Sequence, residues 1–396
     1  LSGGAAAHLA TREYFVPAYL LRLTTRKPLP CDVRESSERD FDVALTSHLG
    51  REHTLGTATI GFGSQARSVL AHFAPHADRR TRILYSRFLA EGEARDMNLR
   101  DTRMVEWGHF AGVQGGGRAI ALYGLRPDYR RLSALRVELF LLGAGTNDAP
   151  WCDGRRLTPG DRVAAGQWLT LDLGPAYAAI YPLRPTHLGG DGARPVALHA
   201  DGTDLRLTID NYDGPAKFFW KYAPLPWEHG GGAIGPFFHG NLRAGFLIET
   251  TDASEWGDFE AFRRAVEEAH VSDTVDDLVR RVRWERGGHS LELAVDLHTF
   301  ARVAHLVDGQ PEADVSLQAP GVVQLPGTSA GLDGVEVRSS APGMWVAVAD
   351  DGYAVANPTP APLEVGVAGA AAMLPAFARA MVGQGGDVRV DELPVG

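Results

Sequence analysis

The stretch ALHADGTDLRLTIDNY, residues 197–212, places two strand-like runs on either side of Asp201-Gly202. Apolar and polar residues alternate there with a period of two, which sends them to opposite faces of a strand, and Asp-Gly closes a tight hairpin. The same texture extends upstream through RTRILYSRFL (80–89), GHFAGVQ (108–114), RAIALYGL (118–125), LRVELFLLG (135–143), QWLTLDLG (167–174) and AYAAIYPLRP (176–185). Gly, Asp or Pro separates these runs, and WCDGRRL (151–157) carries another tight turn at Asp153-Gly154. Short strands in succession, without intervening helices, predict a mainly β chain with a large antiparallel sheet or sandwich.

Downstream, SEWGDFEAFRRAVEEAHV (254–271) predicts a helix, with Ser254 as its N-cap and Trp256, Phe259, Phe262, Val266 and Ala269 along one stripe. TVDDLVRRVRW (274–284) reads as a second short helix. Strands then resume with a hairpin at Gly287-Gly288 and short runs such as GVEVRSS (334–340). A chain of 396 residues exceeds what one core normally holds. The expected division is an N-terminal connecting segment over 1–44, a large β-sandwich over 45–250, a helical connection over 251–284 and a smaller β domain over 285–396. The Ala- and Gly-rich tail from 370 onward is expected to be peripheral, with one short helix.

The balance of 39 basic against 49 acidic residues gives a net charge of -10 without a long basic run, which argues against nucleic acid as the main partner. No window reaches the roughly 18 apolar residues of a membrane span, so no membrane partner is expected. Cys31 and Cys152 are the only cysteines, which excludes a disulfide framework and leaves a single bridge between them open. A start at Leu1, with neither Met nor a basic leader, predicts a fragment, a processed chain or further residues upstream. The glycine runs at 115–117 and 230–232 lack the lysine of a phosphate loop and the strand-to-helix setting of a dinucleotide fingerprint, and no GxSxG nucleophile elbow occurs.

Residues 211–249, NYDGPAKFFWKYAPLPWEHGGGAIGPFFHGNLRAGFLIE, gather aromatics, histidines, glycines and prolines as nowhere else in the chain. They read as a long excursion from the rim of a sheet. Two readings stand side by side. The rings either close the end of a sandwich, or form a groove in which Trp220 or Trp227 stacks on a sugar while His229, His239, Asn241 and Arg243 present polar groups. An eliminative mechanism needs a base beside a carboxylate and groups that neutralise that carboxylate. Tyr212, Tyr222, His229, His239, Asn241 and Arg243 supply those residue types within one loop. No cofactor is assigned, although the 14 histidines leave room for a divalent metal ion, for example between Asp213, His229 and His239.

HTLGTATIGFGSQARSVLAHFA (53–74), GVQGGGRAIALYGL (112–125) and QWLTLDLGPAYAAIYPL (167–183) together resemble the C-terminal β-sandwich part of heparinase II/III-like, polysaccharide-lyase-type bacterial proteins. The resemblance covers roughly residues 45 to 185. It implies an antiparallel β super-sandwich followed by a smaller β-sandwich, and an upstream helical toroid domain or a partner chain that completes the cleft. It also implies a secreted or periplasmic protein acting on a polysaccharide or oligosaccharide. No toroid-sized run of paired amphipathic helices is present in this sequence, and His53 stands where the family has an aromatic hydroxyl. Under the lyase reading His53, Gln65, His239, Asn241 and Arg243 line the cleft, and Tyr212 or Tyr222 transfers the proton. The alternative is a non-catalytic carbohydrate-binding or structural β-sandwich protein that stacks sugars on Trp220 and Trp227.

Overall fold

The structure, a computed structural model, describes residues 29–37, 43–58, 68–75, 80–92, 108–125, 131–144, 148–186, 188, 195–202, 204–220, 237–312, 317–319, 321–325, 327–332, 334–349, 352–383 and 385–392. Among them the chain is mainly β, in several antiparallel sheets with one α-helix. The hairpin at Asp201-Gly202 forms as read. Gly202 takes a left-handed φ of 64°, and Val196–Asp201 pairs with Asp204–Trp220 in the register Leu198 to Leu207. Leu198, Leu207 and Ile209 consequently face the core together, because a slip of one residue would turn each of them outward. Asp153 and Gly154 make the second tight turn, both at positive φ, and Gly287 and Gly288 the third.

Among the described residues one sixteen-stranded sheet runs through the molecule, with fifteen strands in a continuous path and Phe237–Phe238 paired off it to the end of Asp204–Trp220. From one edge it comprises Arg162–Val163, Val196–Asp201, Asp204–Trp220, Arg131–Leu142, Arg82–Gly92, Val69–Phe73, His53–Ala58, Val43–Leu49 and Cys31–Ser37. There the ladder passes to the C-terminal half, through two residue pairs among the described residues, Arg34 with Gln318 and Glu35 with Leu317. It continues through Val322–Gln324, Trp345–Ala349, Gly352–Ala356 and Ala378–Gly383 to Val388–Glu392. A seven-stranded sheet, which includes His109–Gly115, Arg118–Gly124, Ala176–Pro182 and Ala244–Asp252, covers the first part. Between the two lie Leu55, Phe73, Phe88, Tyr123, Leu135 and Phe246, all buried. A four-stranded sheet covers the second part over Val337, Val346, Val355 and Val365.

The seven-stranded sheet is buried on both faces. A five-stranded sheet within residues 270–311 lies on its outer side, packing Val282, Trp284, Leu291 and Leu293 against Val113, Ile120 and Leu247. The helix Phe259–Glu267 seats Phe262 and Val266 on Tyr177 and Ala179 of the same side. Polar groups tie the layers in register. Tyr123 donates its hydroxyl to Ser86 at 2.6 Å, and Gln114 donates to the Leu55 carbonyl at 2.9 Å while accepting from Thr57 at 2.7 Å. Arg280, fully buried, holds Asp273 and the Ala244 carbonyl. With their partners supplied, these groups avoid the penalty of an unsatisfied buried donor or acceptor.

Three local expectations are corrected, and one open point is closed. Residues 274–284 are strand, turn and strand, because Asp277 and Leu278 adopt positive φ and the alternation Arg281, Val282, Arg283, Trp284 has the period of a sheet. The helix starts later than Ser254, since Gly257 at a φ of 72° breaks the chain and Asp258 caps it, accepting from the Ala261 N–H at 2.7 Å. The tail is built into the sheets as Ala370–Leu374, Ala378–Gly383 and Val388–Glu392. Cys31 and Cys152 are both buried and do not form the bridge that the sequence left open.

Two outcomes follow for stability and reactivity. Asp258→Ala should lower the unfolding free energy by about 1 kcal/mol, the worth of an N-cap, as read from urea titration. Burial pushes the Cys152 thiol up to about 11. It should therefore resist alkylation by iodoacetamide at neutral pH in the native chain and react once urea unfolds it, as read by mass spectrometry.

Candidate functional site

His53 opens the strand His53–Ala58 of the large sheet, and Asp252 closes the strand Ala244–Asp252 of the facing one. The two meet at the rim of the sandwich. His53 Nδ1 lies 2.9 Å from Asp252 Oδ1, and both side chains are only 2% exposed. The turn at 50–52 wraps the same carboxylate, with the N–H of Glu52 donating to Oδ1 at 2.8 Å and that of Arg51 to Oδ2 at 3.0 Å. Gly50 is required for this closeness, because a Cβ there would run into the His53 ring.

Burial holds the His53 imidazole below its ordinary value of 6.5, outweighing the opposing pull of Asp252. Burial also pushes the Asp252 carboxyl up, but the hydrogen bonds from His53, Arg51 and Glu52 prevail and hold it below its ordinary value. A neutral imidazole beside a charged carboxylate must donate from Nδ1, which leaves Nε2 as the bare acceptor. Nε2 is buried and has no hydrogen-bond partner among the described residues. The His48 ring stands 5.4 Å away, centroid to centroid, with its own Nδ1 at 2.7 Å from Asp32. Glu255, which adds negative potential at His53, is held by the Thr251 hydroxyl at 2.8 Å. A carboxylate that fixes ring and tautomer while leaving Nε2 bare is the arrangement that orients an imidazole as a proton acceptor.

The other residues singled out in the sequence are placed elsewhere. Residues 211–220 continue the strand Asp204–Trp220 past register shifts after Asp210 and Asp213 instead of opening a loop. Tyr212 is buried in the core there, and its hydroxyl donates to the Pro215 carbonyl. Phe237–Phe238 then pairs in parallel with Phe219 and Trp220, and the short 3-10 turn His239–Asn241 leads into Ala244–Asp252. Asn211, fully buried, clamps the base of the excursion by donating to the Arg243 carbonyl at 2.6 Å, while the Arg243 N–H donates to the Thr186 hydroxyl at 2.6 Å. Gln65, Tyr222, Trp227 and His229 lie outside the described residues, as do the side chains of Trp220 and His239.

Four strand spacings and some eight residues of strand length separate His53 from Tyr212, roughly 30 Å in all. The structure thus brings Tyr212, Asn211 and Arg243 together at the base of the excursion and puts His53 at a different rim. Asp252 and Asn211 were missed in the sequence. Asp252 lies 199 positions from His53 and carries no local signal. Among the described residues no group of three or more His, Cys, Asp or Glu side chains is placed to hold a metal ion, and no helix is long and apolar enough to cross a membrane.

The buried imidazole makes stability depend on pH. The unfolded chain takes up a proton near 6.5 and the folded His53 does not, so its contribution is full above that value and falls as the pH drops below it. The urea midpoint should fall between about pH 7.5 and pH 5, and His53→Gln should flatten part of that fall. His199, which burial also holds low, keeps a residual slope in the variant. Comparison with known proteins finds no matching family model, no matching curated protein and no matching solved structure.

Proposed function

We propose that the chain is the β-sandwich part of a carbohydrate-active protein that cleaves a uronate-containing polysaccharide by β-elimination. One observation carries this reading: the imidazole of His53 is oriented by Asp252 and its Nε2 is bare. In the step proposed, Nε2 takes the proton on the carbon beside the uronate carboxylate. The electron pair left behind forms the carbon–carbon double bond, the neighbouring glycosidic C–O bond breaks, and the leaving oxygen takes up a proton from solvent water, while the His53 imidazolium later returns its proton to solvent. Its neutral state at physiological pH suits His53 to accept a proton. Its burial means that substrate reaches Nε2 only when the groups covering it move. The groups that neutralise the uronate carboxylate, and the opposite wall of the cleft, are assigned to an upstream helical toroid domain or a partner chain.

The same burial favours a second reading, a non-catalytic carbohydrate-binding protein in which His53 and Asp252 latch the two sheets together. Incubation with polygalacturonate, alginate and heparin, followed at the ultraviolet absorbance of an unsaturated product, separates the two. Turnover should fall at least about 100-fold in His53→Ala, the usual worth of a general base. Asp252→Asn should also slow it, and the acid limb of the wild-type rate profile should lie below pH 6.5 because burial holds the imidazole low. Silence from a folded wild-type chain across the panel, or an unchanged rate in His53→Ala, removes the elimination reading.

A further inference from the structure

The turn between Arg162–Val163 and Leu169–Asp172 joins the edge of the large sheet to the seven-stranded one, and it carries a cluster that the site at the rim does not use. Gly166 in this turn takes a φ of 83°, and its N–H donates to the Pro182 carbonyl at 2.8 Å, which pins the turn against the end of Ala176–Pro182. Along that strand Tyr177 and Ala179 seat the helix, so Tyr181 points to the same outer side. The Trp168 ring lies 5.0 Å from that of Tyr181, centroid to centroid, at 57°. Both rings are half-buried, packed against the core beneath the five-stranded sheet. Tyr181 pairs with Leu247, five residues along the strand from Asp252, which sets the cluster roughly 17 Å from Asp252 and on the opposite face of the sheet.

Gly166 holds the cluster open. A Cβ on it would stand 3.3 Å from Arg184 Nε and 3.5 Å from the Tyr181 hydroxyl, so both groups border the space that the missing side chain leaves. Arg184 is exposed, and its guanidinium makes no ion pair or hydrogen bond among the described residues. The Tyr181 hydroxyl and Trp168 Nε1 make no hydrogen bond there either, and neither atom is buried, so both reach solvent. Burial holds the Tyr181 phenol above its ordinary value of 10, against the pull of Arg184, so it stays an O–H donor at neutral pH. Asp273, whose charge also reaches Tyr181, is occupied by Arg280 at 2.9 and 2.8 Å and leaves Arg184 uncompensated.

An uncommitted guanidinium and a phenol hydroxyl thus border one gap, with two half-buried rings beside them. A carboxylate is the group that accepts from both donors at once, and a guanidinium receives it through paired N–H groups. Aromatic rings supply the flat apolar surface on which the C–H face of a sugar packs. A single cation suits one carboxylate on one sugar. A nucleic acid needs cations along a run of phosphates, and a chain with a net charge of -10 and no long basic run does not supply them. We infer that Arg184, Tyr181 and Trp168 around Gly166 form a binding subsite for an acidic sugar, its carboxylate received by Arg184 and the Tyr181 hydroxyl and its ring laid against Trp168. The inference rests on the proposed function for the class of ligand alone, because binding here needs no turnover.

Equilibrium binding of the full chain tests it, with polygalacturonate as probe, dextran as the neutral control, and dextran sulfate and single-stranded DNA as other polyanions. Binding is measured in the wild type and in His53→Ala, so that turnover does not deplete the probe. Polygalacturonate should bind both alike, and dextran should not bind. Arg184→Ala should weaken binding about 10-fold or more, the worth of a charged hydrogen bond, and Tyr181→Phe, which removes only the hydroxyl, about 3-fold or more. Trp168→Leu, which keeps apolar packing without the ring, should weaken it as well. Urea midpoints close to that of the wild-type chain would show that the variants are folded. Absence of polygalacturonate binding, wild-type affinity in any of the three folded variants, or binding of dextran, dextran sulfate or DNA as tight as that of polygalacturonate overturns the inference. Binding that depends on Arg184 and Tyr181 in a chain without turnover defeats only the elimination reading. Turnover that needs His53, with binding and KM unchanged in Arg184→Ala and Tyr181→Phe, defeats only the present one.

Discussion

The hydrogen-bond ladder that runs from Arg162–Val163 to Val388–Glu392 is the constraint on which the other layers depend. Each strand in it sends alternate side chains to opposite faces, so a single register decides what enters the core and what faces away. Along most of the ladder the inward set is aliphatic and aromatic and finds a facing sheet. Where the ladder crosses from Cys31–Ser37 to Leu317–Ala319, two residue pairs among the described residues hold it. The two sandwiches therefore share a backbone but keep separate cores, one around Phe73, Phe88 and Tyr123, the other around Val337, Val346 and Val355.

Polar groups inside such a stack cost free energy unless they are matched, and this chain matches several of them between sheets. Tyr123 with Ser86, Gln114 with Thr57 and Leu55, and His53 with Asp252 all join the large sheet to the seven-stranded one. Each bond is made only when both sheets are in register, so together they select one sliding position that apolar contacts alone would specify loosely. Glu138 applies the same physics within one sheet, drawing guanidiniums from three strands onto a single buried carboxylate. Removing one partner from any of these sets leaves a buried polar group unmatched, which is more costly than the net worth of the bond.

Much of the strand pattern was legible because its signals are local. Asp153 and Gly154, Gly202, and Gly287 and Gly288 take the positive φ values that hairpins need, and the runs between them keep a period of two. The misreadings arose where local signals conflict. TVDDLVRRVRW (274–284) has both helix-forming arginines and a period-two alternation, and the neighbouring strand His289–Asp296 decides in favour of the sheet. Residues 211–220 carry Gly214 and Pro215, which read as a loop, yet register shifts absorb them while the strand continues alongside Arg131–Leu142. His53 was singled out in the sequence, and its orienting partner was not.

The sequence by itself determined the β class, the tight turns and the types of residue available for chemistry, because turn geometry and side-chain period are written in a few neighbouring residues. Only the tertiary structure decided which of those residues meet. It set Asp252 against His53 across 199 positions, committed the Tyr212 hydroxyl to a backbone carbonyl, and assembled Arg87, Arg136 and Arg206 around Glu138. The physical reason is that sheet register and layer stacking are collective. Each depends on the simultaneous burial of side chains from strands far apart in the chain, and no window of neighbouring residues contains that information.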